Sequence, residues 1–204
     1  KAIMPGLINT HTHASMSLFR SYADDMKLMD WLNKKIWPLE ARLKPEDIYF
    51  GALLSIAEMI RTGTTCFNDM YFSMDMVAKA VEESGIRAVL SRGLIGLGGE
   101  SESKKGLKEG IDFAIKFRGK ANGRIETALG PHAPYTCPPE YLAEVSDKAL
   151  EHNLPVHIHL AETKGEKSAI EGNFGIKLDS RGIAEYLEDI GFFKEGLKVI
   201  AAHC

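Results

Sequence analysis

The sequence predicts an α/β fold, a (β/α)8 TIM-type barrel shortened to about its first six β/α units. Three observations predict it: six short apolar runs, longer stretches of helical period between them, and a length of 204 residues. Each run is almost continuously apolar, which is typical of parallel strands covered on both faces. A complete barrel needs about 250 residues, so two further units would follow Cys204. No G-x-G-x-x-G motif follows the first run, which argues against a dinucleotide-binding sheet.

The six predicted strands alternate with segments that carry helix signals, which indicates a parallel sheet with right-handed crossovers. The strands are predicted at residues 6–9, 64–69, 86–90, 125–129, 154–159 and 197–202. In the first helix, Pro45 occupies the first turn, an apolar stripe continues to Ile60, and Gly63 ends it. Further helices are predicted over residues 76–81, with Gly85 ending this helix, and over residues 104–118, 141–150 and 183–190.

The composition and net charge of the chain exclude several classes of protein. Hydrophobic residues make up 45% and charged residues 26% of the chain, and the formal charge is −3. These values argue against a disordered chain and against a general nucleic-acid binder. No apolar run reaches the roughly 18 residues of a membrane span, and no signal-peptide pattern begins the chain. We therefore expect no membrane partner and a cytoplasmic location. The three scattered cysteines predict no disulfide framework.

Both ends of the sequence predict a segment of a longer protein. Lys1 leads into an apolar run without an initiator methionine, and the last run ends near Cys204 without a following turn. A core strand that ended there would expose unpaired backbone groups.

Five of the seven histidines lie at or just after the C-terminal ends of predicted strands, where (β/α) barrels build their active sites. They are His11, His13, His132, His159 and His203. Side chains two residues apart in a strand point the same way, so His11 and His13 could bind one metal ion. The alternative is a polar pair that lines a half-exposed strand end.

A second cluster surrounds the fifth run. His159 lies nearer the strand end than His157 and is the better metal ligand, and Glu162 would reach over the same point. A carboxylate beside a metal-bound water can take its proton and pass it to a leaving group. Alternatively, Glu162 caps the next helix or pairs with a lysine. His203 either ligates the metal, forms hydrogen bonds in the site, or is a buried structural histidine.

Two motifs resemble the amidohydrolase superfamily. Residues 5–13, Pro-Gly-Leu-Ile-Asn-Thr-His-Thr-His, are similar to its first-strand motif. Residues 159–163, His-Leu-Ala-Glu-Thr, resemble the fifth-strand motif of its aminohydrolase branch. From Gly6 to Cys204 the chain is most similar to adenosine-derivative deaminases of the methylthioadenosine/S-adenosylhomocysteine type, and next to chlorotriazine hydrolases.

The resemblance implies roles for the histidines and for Glu162. His11, His13 and His159 would hold one divalent metal ion, with zinc favoured over iron. Glu162 would shuttle protons, and His203 would orient the attacking water. The end of the fourth run carries no lysine that could bridge two metal ions, which favours a mononuclear site.

The resemblance also implies substrate contacts. Trp31 matches an adenine-stacking position, and Glu40 and His132 match positions that contact the ribose. Arg92 matches one of two arginines that bind a homocysteine carboxylate. No second arginine follows before Arg118. Recognition of S-adenosylhomocysteine is therefore the least supported, whereas 5′-methylthioadenosine, 5′-deoxyadenosine and adenosine do not need that contact.

The implied function is metal-dependent hydrolytic deamination of an adenosine derivative, in which metal-bound hydroxide attacks C6 and ammonia leaves. Residues 1–204 would be an incomplete metal-dependent hydrolase barrel domain that lacks the last strands, an eighth-strand aspartate and a flanking β-sandwich, and would be inactive alone. The alternatives are a chlorotriazine-type or other ring aminohydrolase, and an inactive metal-binding barrel fragment. A zinc-dependent nucleic-acid deaminase is excluded because it needs a C-x-x-C pair beside an H-x-E motif. The expected partner is a small nucleoside, and a homo-oligomer is left open.

Overall fold

The computed structural model describes residues 2–204. Two compact units divide the chain. The first comprises the residues up to Val89 together with Gly119–Ile125, and the second comprises Leu90–Arg118 and Glu126–Cys204. Within residues 2–204, no helix has both the length and the apolar character needed to cross a bilayer.

Six strands form a sheet in the same order as in the sequence. They are β1 Leu7–Thr12, β2 Thr64–Tyr71, β3 Arg87–Leu94, β4 Ile125–Pro131, β5 Val156–Leu160 and β6 Val199–His203. The β1–β2, β4–β5 and β5–β6 pairs are parallel. Strands that pair in sequence order, each followed by helix, are the pattern of the first six units of a (β/α) barrel. The predicted fold class is confirmed.

Helical segments connect the strands. They are α1 Leu28–Trp31, α2 Trp37–Glu40, α3 Pro45–Arg61, α4 Met74–Ser84, α5 Glu100–Phe117, α6 Lys120–Gly123, α7 Pro139–Glu151, α8 Glu166–Phe174 and α9 Ile183–Asp189. A 3₁₀ segment, Ala14–Phe19, follows β1, and a π-helical turn, Leu32–Ile36, joins α1 to α2. The sequence predictions did not include α1, α2, α6 and α8, because such short segments display no extended apolar stripe.

The predicted ends of α3 and α4 are confirmed. α3 begins at Pro45, whose missing N–H is one that a helix start leaves unpaired. The Lys44 N–H also donates a hydrogen bond to Oδ2 of Asp47 over 2.8 Å. α4 runs to Ser84 and is capped by Gly85, which has φ +80°, a conformation that favours glycine.

The strands extend further toward their C-terminal ends than predicted. β1 reaches Thr12 and β3 reaches Leu94, whereas the predicted runs end at residues 9 and 90. The prediction followed apolar residues and therefore stopped where polar side chains begin. As a result, His11 lies within β1 and His203 is the last residue of β6.

The prediction that every strand is covered on both faces is wrong for β1 and β6. In β4 and β5 every residue except Glu126 is buried. In β1 no residue is buried, and Leu7 and Ile8 are 50% and 67% exposed. In β6 only Ala202 is buried. The physical reason is that β1 and β6 are the first and last strands of the sheet, with a neighbouring strand on one edge only.

Candidate metal and catalytic site

The first unit carries two histidines at the end of β1. His11 lies in the strand, His13 directly follows it, and their ring centroids are 5.0 Å apart with the rings nearly perpendicular. His13 Nδ1 lies 2.6 Å from the carbonyl oxygen of Met70 in β2. Because a carbonyl oxygen only accepts hydrogen bonds, Nδ1 carries the proton. Nε2 of His13 is therefore the nitrogen that can bind a metal ion.

A buried carboxylate holds the turn that carries His13. Asp69 in β2 is fully buried, and its Oδ1 accepts hydrogen bonds from the Thr12 hydroxyl and the Ala14 N–H, each over 2.7 Å. Burial raises the pKa of Asp69, while these two hydrogen bonds and the nearby His13 ring counteract the rise. Sequence analysis missed Asp69. Its place at the C-terminal end of the predicted second strand is the same signal that identified the histidines.

Glu40 and Trp31 also belong to the first unit. The Tyr71 hydroxyl donates a hydrogen bond to Oε1 of Glu40 over 2.6 Å, and burial raises the pKa of both groups. The Tyr71 ring centroid lies 6.3 Å from that of His13. Trp31 and His13 line an open cavity of about 700 Å³, whereas Glu40 lines another of about 320 Å³. Glu40 thus lies at the histidine end of β2.

In the second unit, His159 lies in β5 and is almost completely buried. Its Nδ1 lies 2.6 Å from the carbonyl oxygen of His132, which follows β4. The ring centroids of the two histidines are 4.7 Å apart. As in His13, the carbonyl oxygen accepts a hydrogen bond from Nδ1–H. Nε2 of His159 is therefore the nitrogen that can bind a metal ion.

The two residues predicted to handle protons and water are neighbours. The His203 ring stacks on the His159 ring at 5.4 Å and 14°, and His203 Nε2 lies 3.8 Å from Oε1 of Glu162. The alternative roles considered for Glu162 are not observed. No side chain caps the start of α8, and the nearby Lys167 ammonium contacts main-chain carbonyls instead.

Tyr135 is a further residue of this cluster. Its hydroxyl interacts electrostatically with the Glu162 carboxylate, and the residue is 2% exposed. Burial raises the pKa of Tyr135, and the charges of Glu162 and Glu166 raise it further. The phenol therefore stays protonated beside the carboxylate. Sequence analysis missed Tyr135, and its only signal was its place three residues after His132.

Arg92 has a partner that the sequence did not predict. Ser91 Oγ lies 3.2 Å from His157 Nδ1, whereas the Arg92 guanidinium pairs with the Glu109 carboxylate of α5 over 2.5 Å. Side chains alternate along a strand, so Arg92 points away from the face of β3 that carries Ser91. The structure therefore does not bring Arg92 to the side on which His157 and His159 lie.

Comparison with known proteins assigns the family. The family model described as "Amidohydrolase family" matches residues 2–204. The chain belongs to the amidohydrolase family. The sequence prediction of the family is thereby confirmed.

Two curated relatives of this amidohydrolase act on adenosine derivatives according to their names. The chain is 56% identical over 203 residues to 5-methylthioadenosine/S-adenosylhomocysteine deaminase of Carboxydothermus hydrogenoformans, covering 100% of this chain and 45% of that protein. It is 53% identical over 202 residues to 5′-deoxyadenosine deaminase of Methanosarcina mazei, and the match covers 99% of this chain and 45% of that protein. The chain thus spans less than half the length of these relatives.

A solved structure shares the fold. The crystal structure of an adenosine deaminase from Xanthomonas campestris with bound zinc has a TM-score of 0.80 and 35% identity. The match covers 97% of this chain and 44% of that chain.

The amidohydrolase chain distributes the predicted site residues over both units. His11, His13, Trp31 and Glu40 belong to the first, and Arg92, His132, His159, Glu162 and His203 belong to the second. The structure brings together His11 with His13, and the cluster of His132, His159, Glu162 and His203. That His11, His13 and His159 bind a single ion stays a prediction.

Proposed function

We propose that the protein to which this chain belongs hydrolytically deaminates an adenosine derivative. The observation that carries the proposal is the Glu162 carboxylate, whose Oε1 lies 3.8 Å from Nε2 of His203 and which interacts electrostatically with the buried Tyr135 hydroxyl. Relatives named as deaminases of 5-methylthioadenosine/S-adenosylhomocysteine and of 5′-deoxyadenosine support the reaction class.

The histidines suit a divalent metal ion. His11, His13 and His159 would hold it, and zinc is favoured because the Xanthomonas campestris deaminase contains zinc. In both His13 and His159 a main-chain carbonyl accepts a hydrogen bond from Nδ1–H, which leaves the unprotonated Nε2 oriented and able to bind a metal ion. Zinc prefers such imidazole ligands. The ion would supply one property, a bound water whose pKa falls toward about 7.

Proton transfer would be the task of Glu162. It would accept a proton from the attacking water and donate it to N1 of the adenine ring, which loses aromaticity when C6 becomes tetrahedral. Glu162 would then pass the remaining proton of the C6 hydroxyl to the amino group. The C6–N bond breaks, ammonia leaves, and C6 keeps the oxygen as a carbonyl. His203 beside Glu162 would orient the water. General acid–base catalysis of this kind contributes roughly 10²–10⁴-fold to the rate.

Three residues would recognise the nucleoside. Trp31 would stack on the adenine ring. Glu40 and His132 would form hydrogen bonds with the ribose hydroxyls. Arg92 would contribute little, because its guanidinium already pairs with Glu109. Substrates without a charged amino-acid tail, such as 5′-deoxyadenosine and 5′-methylthioadenosine, are therefore favoured.

The test is ammonia release by the metal-loaded protein at its natural length. The substrates are 5′-deoxyadenosine, 5′-methylthioadenosine, adenosine, S-adenosylhomocysteine, guanine and a chlorotriazine. We expect the highest kcat/KM with an adenosine derivative. Faster conversion of guanine or of the chlorotriazine would assign a different substrate class, and no turnover of any of them would refute the proposal.

A further inference from the structure

The segment that carries Glu162 is a sharp turn. β5 ends at Leu160, and α8 begins at Glu166. Ala161 between them has φ +54°, a left-handed conformation that is unfavourable for a residue with a Cβ atom. Such a conformation persists only where the surrounding structure enforces it. The direction of the Glu162 side chain therefore depends on what holds this turn.

The buried carboxylate of Glu166 holds this turn through hydrogen bonds from its main chain. The Glu166 side chain accepts hydrogen bonds from the Glu162 N–H over 2.7 Å and from the Ala161 N–H over 3.3 Å, one on each oxygen. Glu166 is only 2% exposed, and its own N–H donates a hydrogen bond to the Thr163 carbonyl over 3.1 Å. Main chain and side chain of one residue thus fix the whole turn.

The chemistry of the site requires a carboxylate at Glu166. Burial raises the pKa of Glu166 and the nearby charge of Glu162 adds to the rise, whereas the hydrogen bonds from main-chain N–H groups oppose it. An ionised carboxylate accepts hydrogen bonds at both oxygens. A glutamine would direct its own N–H₂ group at one of the main-chain donors, so the turn would lose one of its two fixed points.

We propose that Glu166 is a positioning residue for the proton-transferring Glu162. Its buried carboxylate fixes the main chain at Ala161 and Glu162, and this keeps the Glu162 carboxylate within reach of Tyr135 and His203. The inference rests on the proposed function, because Glu162 has a proton to transfer only if the protein is such a hydrolase. A residue that merely stabilised the start of α8 would change stability and leave kcat intact.

The test compares Glu166→Gln with Glu171→Gln in the metal-loaded protein at its natural length. Glu171 is a matched control, because it lies in the same helix and its Oε1 accepts a hydrogen bond from the Leu178 N–H over 2.9 Å. For Glu166→Gln we expect kcat to fall by about tenfold or more with KM nearly unchanged, since catalysis but not binding depends on Glu162. Amide hydrogen exchange at Ala161 and Glu162 should accelerate by about tenfold. Glu171→Gln should leave kcat and both exchange rates unchanged.

The outcomes of this comparison distinguish a positioning role of Glu166 from a purely structural one. Unchanged kcat in Glu166→Gln, or an equal fall in Glu171→Gln, would overturn the positioning role, as would unchanged exchange at the two amides. If Glu166→Gln does not fold, the double variant Ala161→Gly/Glu166→Gln is measured instead, because glycine at position 161 removes the strain of the positive φ. If the parent deaminates none of the substrates, the proposed function fails first. Unchanged exchange with an active parent refutes the positioning role alone.

Discussion

The Nδ1 atom of His159 lies 2.6 Å from the main-chain carbonyl oxygen of His132, and the Nδ1 atom of His13 lies at the same distance from that of Met70. In both cases the carbonyl belongs to the neighbouring strand or to the residue that directly follows it. The parallel pairing of the strands thus supplies the hydrogen bond that fixes the histidine tautomer. Metal-binding histidines in proteins are commonly oriented by such a second partner.

The first prediction concerns metal binding. His159→Ala should lower the zinc content of the protein from about one equivalent to well below it, because structural and catalytic zinc sites need three or four protein ligands. His157→Ala is the control, since His157 lies on the same face of β5 but bonds to Ser91. Atomic absorption after dialysis measures the content. Loss of zinc in His157→Ala with retention in His159→Ala would show that the ligand in β5 was wrongly assigned.

A second prediction concerns Tyr135. Tyr135→Phe removes the hydroxyl that interacts with the Glu162 carboxylate and should lower kcat by about tenfold with little change in KM, since the interaction of a polar group with a charged group contributes about 1.5–3 kcal/mol. Tyr141→Phe serves as the comparison, because that buried hydroxyl donates a hydrogen bond to the Ser103 carbonyl over 3.1 Å instead. Steady-state kinetics separates the two. Equal losses of kcat would reduce Tyr135 to a packing residue.

A third prediction concerns Arg92. Because its guanidinium pairs with Glu109, Arg92→Ala should leave the ratio of kcat/KM for S-adenosylhomocysteine to that for 5′-deoxyadenosine within about twofold. If Arg92 instead binds the homocysteine carboxylate, the substitution should lower this ratio by about tenfold or more, because charge-assisted hydrogen bonds are strong. Competition between the two substrates in one assay measures the ratio directly.

The cysteines give a prediction that is independent of activity. Cys137 is fully buried, and burial raises its pKa to about 11, so at pH 8 only about one thiol in a thousand is the reactive thiolate. Cys66 is partly exposed and should be alkylated by iodoacetamide well before Cys137. Peptide mass spectrometry compares the two in the native and the guanidinium-unfolded protein. Labelling of Cys137 at the rate of Cys66 in the native protein would contradict its burial.

Much of the fold follows from local signals in the sequence. Pro45 marks the start of α3, because proline fits the first turn of a helix but not its interior. Gly85 marks the end of α4, because its positive φ favours glycine. The apolar runs place all six strands, but not their C-terminal ends, which are polar because the site lies there. The exposure of Leu7 and Ile8 could not be predicted from hydrophobicity, since it depends on which strands lie at the edges of the sheet.

The candidate site was predictable where one residue type carries the chemistry. The histidines and Glu162 are identifiable by motif and by position after a strand. Asp69 has the same positional signal, at the end of the predicted second strand. Its role, like that of Tyr135, was not predictable, because these roles arise from contacts over 55 and 27 residues of sequence, respectively, that only the folded chain makes. The partner of Arg92 was missed for a similar reason, since the face of β3 on which it lies depends on strand register.

The most direct test of the central claim is the turnover of Glu162→Gln in the metal-loaded protein at its natural length. Glutamine is nearly isosteric, so metal content and KM should stay close to those of the parent, while the side chain can no longer carry a proton. We expect kcat for the preferred nucleoside to fall by about 10² or more, the contribution typical of general acid–base catalysis. If the variant turns over its substrate within about threefold of the parent rate, Glu162 does not transfer the proton, and His203 beside it becomes the next candidate.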